Sequence, residues 1–178
     1  VGELSGLLGR QDDYEARLRL AEARRLFEQL VEALDAVHAA GIYHLDLKPE
    51  NVLLDEKGRA RLIDFGAARQ GFHNSKTQAY TPDYAAPEVI SGRTAVPASD
   101  VYALGVILWW LIVGVPPYIA RTRKEMYKKH LEEPLPNIAT ARPDTPPSLI
   151  EVLNRCLDKN PQHRMADCEE LAGKLRSI

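Results

Sequence analysis

The sequence is poor in cysteine, has no long apolar run and carries little net charge. Its two cysteines, Cys156 and Cys168, exclude a disulfide framework and favour a reducing compartment such as the cytoplasm. The longest apolar run, residues 101–115, is shorter than the roughly 20 residues that a bilayer-spanning helix needs, which predicts a buried core helix instead. The first residues show no basic region followed by an apolar one, so we expect no signal peptide. These absences favour a cytoplasmic location and leave open whether a longer parent protein is tethered to a membrane.

The net charge and the length narrow the classes of partner and fold. A formal charge of −2 at pH 7 gives no global attraction to nucleic acid or to anionic membranes. The 178 residues, 45% of them hydrophobic and 27% charged, have the composition of an ordinary globular protein and suffice for one domain with a substantial core. We therefore expect a single soluble domain that does not bind nucleic acid.

The most informative stretch is YHLDLKPEN at residues 43–51, which carries an acid, a base and an amide at short fixed offsets. Asp46 offers a carboxylate that can orient a hydroxyl group and accept its proton. Lys48 supplies a compact positive charge suited to a phosphate, and Asn51 supplies a neutral oxygen suited to a hard cation such as magnesium. This combination indicates phosphoryl transfer.

A helix and a hairpin are predicted on either side of this stretch. Apolar residues recur every three or four positions within residues 14–40, which predicts a long amphipathic helix, and Gly41 stands where a left-handed C-terminal cap is expected. Apolar runs before and after a glycine turn predict two antiparallel strands within residues 52–63. Because the two ends of a hairpin meet, Asn51 is expected beside Asp64, where two oxygen ligands could hold a cation.

The rest of the chain is predicted to be a polar segment followed by helices. Residues 67–84 are rich in hydroxyl groups and have no sustained period, which favours a surface segment. A short helix is expected at 86–90, and Ser99 or Asp100 is expected to cap the core helix at about 101–113. Further helices are predicted near residues 121–131, 148–157 and 167–176. No further sheet is expected beyond the core helix.

Five motifs in this order resemble one protein family. They are HLDLKPEN at 44–51, DFG at 64–66, TPDYAAPE at 81–88, SDVYALG at 99–105 and a single arginine, Arg164. Together they resemble the large C-terminal lobe of a eukaryotic-type (Hanks-type) serine/threonine protein kinase, over essentially the whole chain. The resemblance implies a mainly α fold, in which a helical bundle surrounds a central buried helix and a short β-hairpin carries the catalytic and metal-binding loops.

The resemblance assigns chemical roles to the loop and to the end of the hairpin. It implies that Asp46 is the catalytic base and that Lys48 steadies the transferred phosphate. It implies that Asn51 and Asp64 hold Mg2+ and take part in binding ATP. Lys48 and the surroundings of Thr81 are typical of serine/threonine specificity. The implied partner is therefore a protein substrate with a serine or threonine hydroxyl.

The resemblance also implies supporting roles. Thr81, on the substrate-facing activation segment, is implied to hydrogen-bond near the catalytic groups. Glu88 and Arg164 are implied to form a structural ion pair that anchors this segment. Asp100 is implied to bind the backbone of the catalytic loop. His44 is interpreted as a structural histidine packed under that loop rather than as a proton carrier.

Three positions depart from the family pattern. Leu45 precedes the catalytic aspartate where many members carry an arginine that binds a phosphate on the activation segment. Tyr80 stands where a glycine usually precedes the threonine, which is expected to alter the substrate-facing loop, and Met165 replaces a common proline with a mild effect. Because Leu45 carries no charge, our hypothesis is that phosphorylation of Ser75 or Thr77 is not required for activity.

The sequence contains no glycine-rich loop, no strand lysine and no partner glutamate ahead of these motifs. The resemblance therefore implies a partial kinase domain, residues 1–178, without the small β-rich N-terminal lobe. We expect little or no kinase activity from this chain alone, and its expected partner is the missing lobe of the same parent. Two alternatives stay open: a catalytically silent kinase-like scaffold or binding module, and a small-molecule phosphotransferase of the antibiotic type.

Several other side chains are interpreted as structural and not as functional. Phe65 is predicted to face the core and not to bind a ligand. Cys156 and Cys168 lie in helices with apolar spacing and are interpreted as buried thiols. The basic residues of helix 121–131 favour a solvated face over a docking site for acidic partners.

Overall fold

The computed structural model describes residues 2–8, 19–65, 69–70 and 80–177, so Gly66, Ser75 and Thr77 lie outside the described residues. Within these ranges the protein is mainly helical and has small antiparallel sheets. The strands are β1 (Gly2–Glu3), β2 (Ile42–Tyr43), β3 (Val52–Leu54), β4 (Ala60–Leu62) and β5 (Arg69–Gln70). The helices are α1 (Ser5–Leu8), α2 (Leu20–Ala39), α3 (Pro87–Ile90), α4 (Pro97–Val113), α5 (Arg123–Glu132), α6 (Ile138–Ala141), α7 (Pro147–Cys156) and α8 (Cys168–Arg176).

Helix α2 confirms the predicted amphipathic helix but begins later than expected. Its buried side chains recur three or four positions apart, and they are Ala23, Leu26, Phe27, Leu30, Val31 and Leu34. The expected start near Tyr14 was wrong: Arg19 is extended, with φ −61° and ψ 142°, and the helix begins at Leu20, where the apolar period itself begins. Residues 9–18 lie outside the described part of the chain. Gly41 follows the C-cap residue, Ala40, with φ 72°, which confirms the left-handed conformation expected there.

The central helix α4 is buried along almost its whole length, which confirms the predicted core helix. It begins at Pro97 rather than at about Val101, because proline fits a first helical turn. The predicted caps were therefore wrong. Ser99 lies inside the first turn, where its Oγ accepts the backbone N–H of Val96 at 3.0 Å, and Asp100 turns toward another part of the chain. Among the described residues no helix, α4 included, is long and apolar enough to cross a membrane.

The predicted hairpin is present, and it is accompanied by three short strands that the sequence did not indicate. Strands β3 and β4 pair antiparallel with Val52 opposite Leu62, and the turn passes through Gly58 at φ 67°. Strand β1 pairs with β3 to give a three-stranded sheet, and β2 pairs with β5 in a separate two-stranded sheet. The additional strands span two residues each, which is too short for a periodic sequence signal.

The C-terminal helices pack around α4. Helices α3, α5, α7 and α8 confirm the predicted helices to within a few residues, whereas the short α6 was not expected. Helix α7 approaches α4 closely at Gly105, where a Cβ would lie 2.7 Å from the Cβ of Cys156. Cys156 and Cys168 are buried free thiols, as predicted, and burial raises the pKa of Cys156 to about 12.

Phe65 contradicts the expectation that it faces the core. Its side chain is 42% exposed, and the ring centroid of His44 lies 5.0 Å from that of Phe65. The residue follows the exposed Asp64 beyond the last paired residue of β4, where strand alternation no longer fixes a side. Hydrophobicity alone therefore did not indicate its environment.

Candidate active site

The loop between β2 and β3 is held by one carboxylate of the central helix. Asp100 accepts the backbone N–H of His44 through Oδ2 and that of Leu45 through Oδ1, each at 2.8 Å. Leu45 has φ 64°, a left-handed conformation that costs a residue other than glycine roughly 1–2 kcal/mol. The two hydrogen bonds therefore fix the loop in a shape that Leu45 would not adopt by itself. This is the backbone contact that the family resemblance implied for Asp100.

His38, in the last turn of α2, makes a contact that the sequence did not reveal. Its Nε2 lies 2.9 Å from Oδ2 of Asp100, and both side chains are almost completely buried. Because an ionised carboxylate only accepts hydrogen bonds, Nε2 carries the ring proton in this contact. Nδ1 is buried and has no hydrogen-bond partner. The available signal was a histidine placed on the buried face of α2, just before Gly41.

His44 contacts the hairpin rather than the polar groups of the loop. The residue is fully buried, and its Nε2 lies 3.3 Å from the carbonyl oxygen of Ile63. Its Nδ1 has no hydrogen-bond partner. Ile63 directly precedes Asp64, so this contact ties the loop to the end of the hairpin. The placement supports a structural role for His44.

Asp46, Lys48 and Thr81 converge on one point of the surface. Asp46 Oδ1 accepts the backbone N–H of Thr81 at 2.8 Å, and Asp46 Oδ2 lies 3.1 Å from Lys48 Nζ. Lys48 Nζ also donates to Thr81 Oγ1 at 3.1 Å. The side chains of Asp46 and Lys48 are 18% and 24% exposed, so both can reach a bound molecule. A carboxylate able to accept a proton thus stands beside an ammonium able to bind a phosphate.

The hairpin register places Asn51 and Asp64 at the same end. The N–H of Ile63 donates to the carbonyl oxygen of Asn51 at 2.9 Å, and Asp64 follows at once with φ 59°. Asn51 Nδ2 donates to the carbonyl oxygen of Asp46 at 2.9 Å, so Oδ1 is the side-chain atom suited to a cation. An amide oxygen and a carboxylate match the hard ligands that Mg2+ prefers beside water and phosphate oxygens. In the part of the chain that the structure describes, no group of three or more His, Cys, Asp or Glu side chains could hold a metal.

Glu88 and Arg164 form a buried, bidentate ion pair. Arg164 Nη1 and Nη2 each donate to a different oxygen of Glu88 at 2.8 Å, and Ser99 Oγ donates to the same carboxylate at 2.7 Å. Burial raises the pKa of Glu88, but the hydrogen bonds and the charge of Arg164 outweigh burial and hold the pKa below its ordinary value. The pair ties the start of α3 to the C-terminal part of the chain.

Tyr80 contacts α5, a contact that the sequence did not indicate. Its hydroxyl donates to Tyr127 Oη at 3.1 Å, and Arg123 Nε donates to the same oxygen. The guanidinium of Arg123 lies 5.7 Å from the ring centroid of Tyr80 and 5.4 Å from that of Tyr127. The predicted solvated face holds for Lys124 and Lys128, which are exposed, but Arg123 joins this cluster. No periodic or compositional signal marks such a contact between distant segments.

Comparison with families of known proteins agrees with this geometry. A family model described as "Protein kinase domain" matches residues 2–174, which is nearly the whole chain. The matched region includes every residue of the loop, the hairpin end and the ion pair described above.

Individual relatives are named protein kinases. Serine/threonine-protein kinase PknD of Mycobacterium tuberculosis is 37% identical over 157 residues, which are 85% of this chain and 24% of PknD. The probable serine/threonine-protein kinase PknB of Lactococcus lactis is 34% identical over 154 residues, 84% of this chain and 25% of PknB. CBL-interacting protein kinase 24 of Oryza sativa is 37% identical over 172 residues, 92% of this chain and 35% of that protein. The chain thus spans about a quarter to a third of the length of these curated relatives.

Proposed function

Because this chain belongs to the protein kinase family, with serine/threonine protein kinases among its relatives, we propose that it transfers the terminal phosphoryl group of ATP to protein hydroxyls. The acceptors are serine and threonine side chains, and the chain acts as part of a longer kinase. The observation that best supports this proposal is the convergence of Asp46, Lys48 and Thr81 through contacts of 2.8 to 3.1 Å.

In this proposal Asp46 is the catalytic base. Each of its carboxylate oxygens already has one fixed partner, the Thr81 N–H on Oδ1 and Lys48 Nζ near Oδ2. A carboxylate offers about four acceptor sites, so Asp46 can still accept the hydrogen bond of a substrate hydroxyl. The fixed partners orient the carboxylate before the substrate arrives, which reduces the reorganisation needed at the reacting centre.

Lys48 and Thr81 support the reaction on the acceptor side. The ammonium of Lys48 offers a positive charge where negative charge on a transferred phosphoryl group needs stabilisation. Its hydrogen bond to Thr81 Oγ1 keeps that charge beside Asp46 and links it to the substrate-facing segment. Removing the Thr81 hydroxyl is therefore expected to loosen the position of Lys48 as well.

Asn51 and Asp64 are the residues that we propose to hold Mg2+ with ATP. The support is their donor chemistry and their shared position at the end of the hairpin. When bound, Mg2+ neutralises charge on the phosphates. The chain contributes a pre-oriented amide, because Asn51 Nδ2 is fixed on the Asp46 carbonyl oxygen. The same hydrogen bond couples the cation site to the loop that carries the base.

We further propose that residues 1–178 correspond to the large lobe of the kinase domain. The mainly helical fold around α4 and the hairpin that carries the proposed catalytic groups support this assignment. The small lobe would then be supplied by sequence outside this chain. In that case the chain alone holds only part of a nucleotide cleft.

The substitution Asp46→Asn in the full-length gene product tests the catalytic role. Asparagine preserves the shape but cannot take the proton, so we expect phosphorylation of a generic basic protein to fall by about 100-fold or more. Asp167→Asn is the matched control, because Asp167 caps α8 through a hydrogen bond to the Glu170 N–H and asparagine caps equally well. Equal activity of Asp46→Asn and wild type would exclude Asp46 as the base. A wild type that phosphorylates aminoglycosides but no protein would identify the small-molecule phosphotransferase instead.

Calorimetric titration of this chain with ATP and Mg2+ tests the assignment to the large lobe. We expect weak or undetectable binding, because in this proposal the chain supplies only one side of the nucleotide cleft. Tight binding would contradict the proposal that this chain lacks a complete cleft. A full-length protein that binds a partner but neither ATP nor Mg2+ would favour the silent scaffold.

A further inference from the structure

The cluster of Tyr80, Tyr127 and Arg123 lies next to the proposed catalytic groups and has no part in the chemistry proposed so far. We propose that Tyr80 is a positioning residue: its contact with α5 holds Thr81 against Asp46 and Lys48 without a phosphate on the activation segment. The inference rests on the proposed function, since Thr81 matters through the reaction at Asp46. We call Tyr80, Tyr127 and Arg123 the tyrosine latch.

The tyrosine latch centres on a single phenolic oxygen. Tyr127 Oη accepts one hydrogen bond from the Tyr80 hydroxyl at 3.1 Å and another from Arg123 Nε. The ring centroids of Tyr80 and Tyr127 lie 6.2 Å apart, and the guanidinium of Arg123 stands near both rings. A phenolic oxygen has two acceptor sites, so both are filled. Removing this one oxygen removes both hydrogen bonds.

The tyrosine latch is directly next to the active site in the chain, so it can restrict the position of Thr81. Tyr80 is bonded covalently to Thr81, whose N–H and Oγ1 contact Asp46 and Lys48. On the far side, the Glu88–Arg164 ion pair fixes the end of the same segment. The described segment from Tyr80 to Glu88 is therefore fixed near both ends. Of the two sets of contacts, the tyrosine latch is the one nearer to Thr81.

Leu45 explains why a latch of this kind is useful here. Leu45 occupies the position before Asp46 and offers neither charge nor hydrogen-bonding group in its side chain, so it cannot bind a phosphate on the segment. Hydrogen bonds and a cation over aromatic rings need no modification to form. The side chain of Tyr80 is half-buried, and burial, with the hydrogen bond to Tyr127, raises its pKa to about 12, so it stays a donor at physiological pH.

Amide hydrogen exchange on this chain tests the latch without any need for activity. We compare wild type, Tyr127→Phe, Arg123→Gln and the control Lys128→Gln, an exposed residue on the same helix. Loss of the hydrogen bonds at Tyr127 Oη is expected to speed exchange across residues 80–84 about fivefold. Exchange in α4 and in Lys128→Gln should match wild type. Unchanged exchange at 80–84, or equal acceleration in α4, overturns the proposal.

Steady-state kinetics on the full-length gene product test the link to positioning. With a protein substrate, Tyr127→Phe and Arg123→Gln are expected to lower kcat/KM about fivefold, while KM for ATP and the kinetics of Lys128→Gln stay at wild-type values. Faster exchange at 80–84 combined with wild-type kinetics overturns the positioning role. Faster exchange in a protein that has no kinase activity in its wild-type form refutes the proposed function and the positioning role, and leaves the latch as a structural contact only.

Discussion

Asp100 holds Leu45 in a left-handed backbone conformation, with φ 64°, by accepting its N–H at 2.8 Å. Leu45 immediately precedes Asp46, so the angle at Leu45 sets the direction in which the chain presents the proposed catalytic carboxylate. The strain at this residue persists because the carboxylate of Asp100 comes from the most deeply buried helix and also accepts the His44 N–H. The core helix thereby fixes the geometry of the loop.

Replacing Asp100 with alanine is expected to lower the free energy of unfolding by about 3 kcal/mol, because buried donors lose their acceptor. The donors are the backbone N–H groups of His44 and Leu45 and the Nε2–H of His38. Denaturation in urea measures the change. Glu56→Ala, in the exposed hairpin turn, is the control and should stay within about 0.5 kcal/mol of wild type. Equal stability of the two variants would show that Asp100 does not support the loop.

Removing one partner of the Glu88–Arg164 pair should lower the free energy of unfolding far more than removing one partner of a surface ion pair. Arg164→Met leaves the Glu88 carboxylate buried and unpaired, so we expect a loss of about 3–5 kcal/mol in the free energy of unfolding. Arg155→Met is the control, because the Arg155–Glu170 pair is 37% and 43% exposed and should contribute less than about 1 kcal/mol.

The double variant Glu88→Gln with Arg164→Met removes both charges of the buried pair. It should be less destabilised than the sum of the two single variants, which a double-mutant cycle in urea measures. Additive effects would mean that the two side chains do not act as a pair.

The buried His130 is expected to make the folded protein less stable on mild acidification. Burial, together with the charge of Lys159, lowers the pKa of His130 from 6.5 to about 3, and its Nδ1 lies 2.8 Å from the Tyr102 hydroxyl. Between these pKa values the unfolded chain binds a proton that the folded chain does not, so the free energy of unfolding falls as the pH drops below 6.5. From pH 6.5 to 5 this group should account for a loss of about 1–2 kcal/mol.

The variant His130→Asn tests this origin, because asparagine keeps an acceptor for Tyr102 and does not titrate. Its unfolding free energy, measured by urea denaturation at several pH values, should depend less on pH between 6.5 and 5 than that of wild type. His163→Asn is the control, since the His163 side chain is 64% exposed, and it should keep the wild-type dependence. A His130→Asn profile parallel to wild type would place the acid sensitivity elsewhere.

Activity is expected to survive loss of the hydroxyls at Ser75 and Thr77. Leu45 cannot bind a phosphate on the segment, so the doubly substituted full-length protein, Ser75→Ala with Thr77→Ala, should keep the kcat/KM of wild type for a protein substrate. Thr81→Ala is the contrasting variant and should lose activity, because it removes the hydroxyl that contacts Lys48. A collapse of activity in the double variant would refute the hypothesis.

The sequence predicted the helices and the hairpin well where a periodic pattern runs long enough to be recognised. The apolar period of α2 and the continuous apolar run of α4 show this, although both starting residues were misplaced. The two-residue strands β1, β2 and β5 were missed because their pairing depends on distant segments. Phe65 was misassigned because hydrophobicity does not report which side of a loop is covered.

For the candidate site, the sequence by itself determined which chemical groups are present and their order. Asp46, Lys48 and Asn51 lie in one loop, and Asp64 follows an antiparallel hairpin whose two ends meet. Tertiary structure alone decided which distant groups meet them. Thr81 reaches Asp46, His38 reaches Asp100, and Tyr80 reaches Tyr127 across the fold. Local patterns record the period of a helix or strand, whereas these contacts depend on how the segments pack around α4, which no short stretch of sequence encodes.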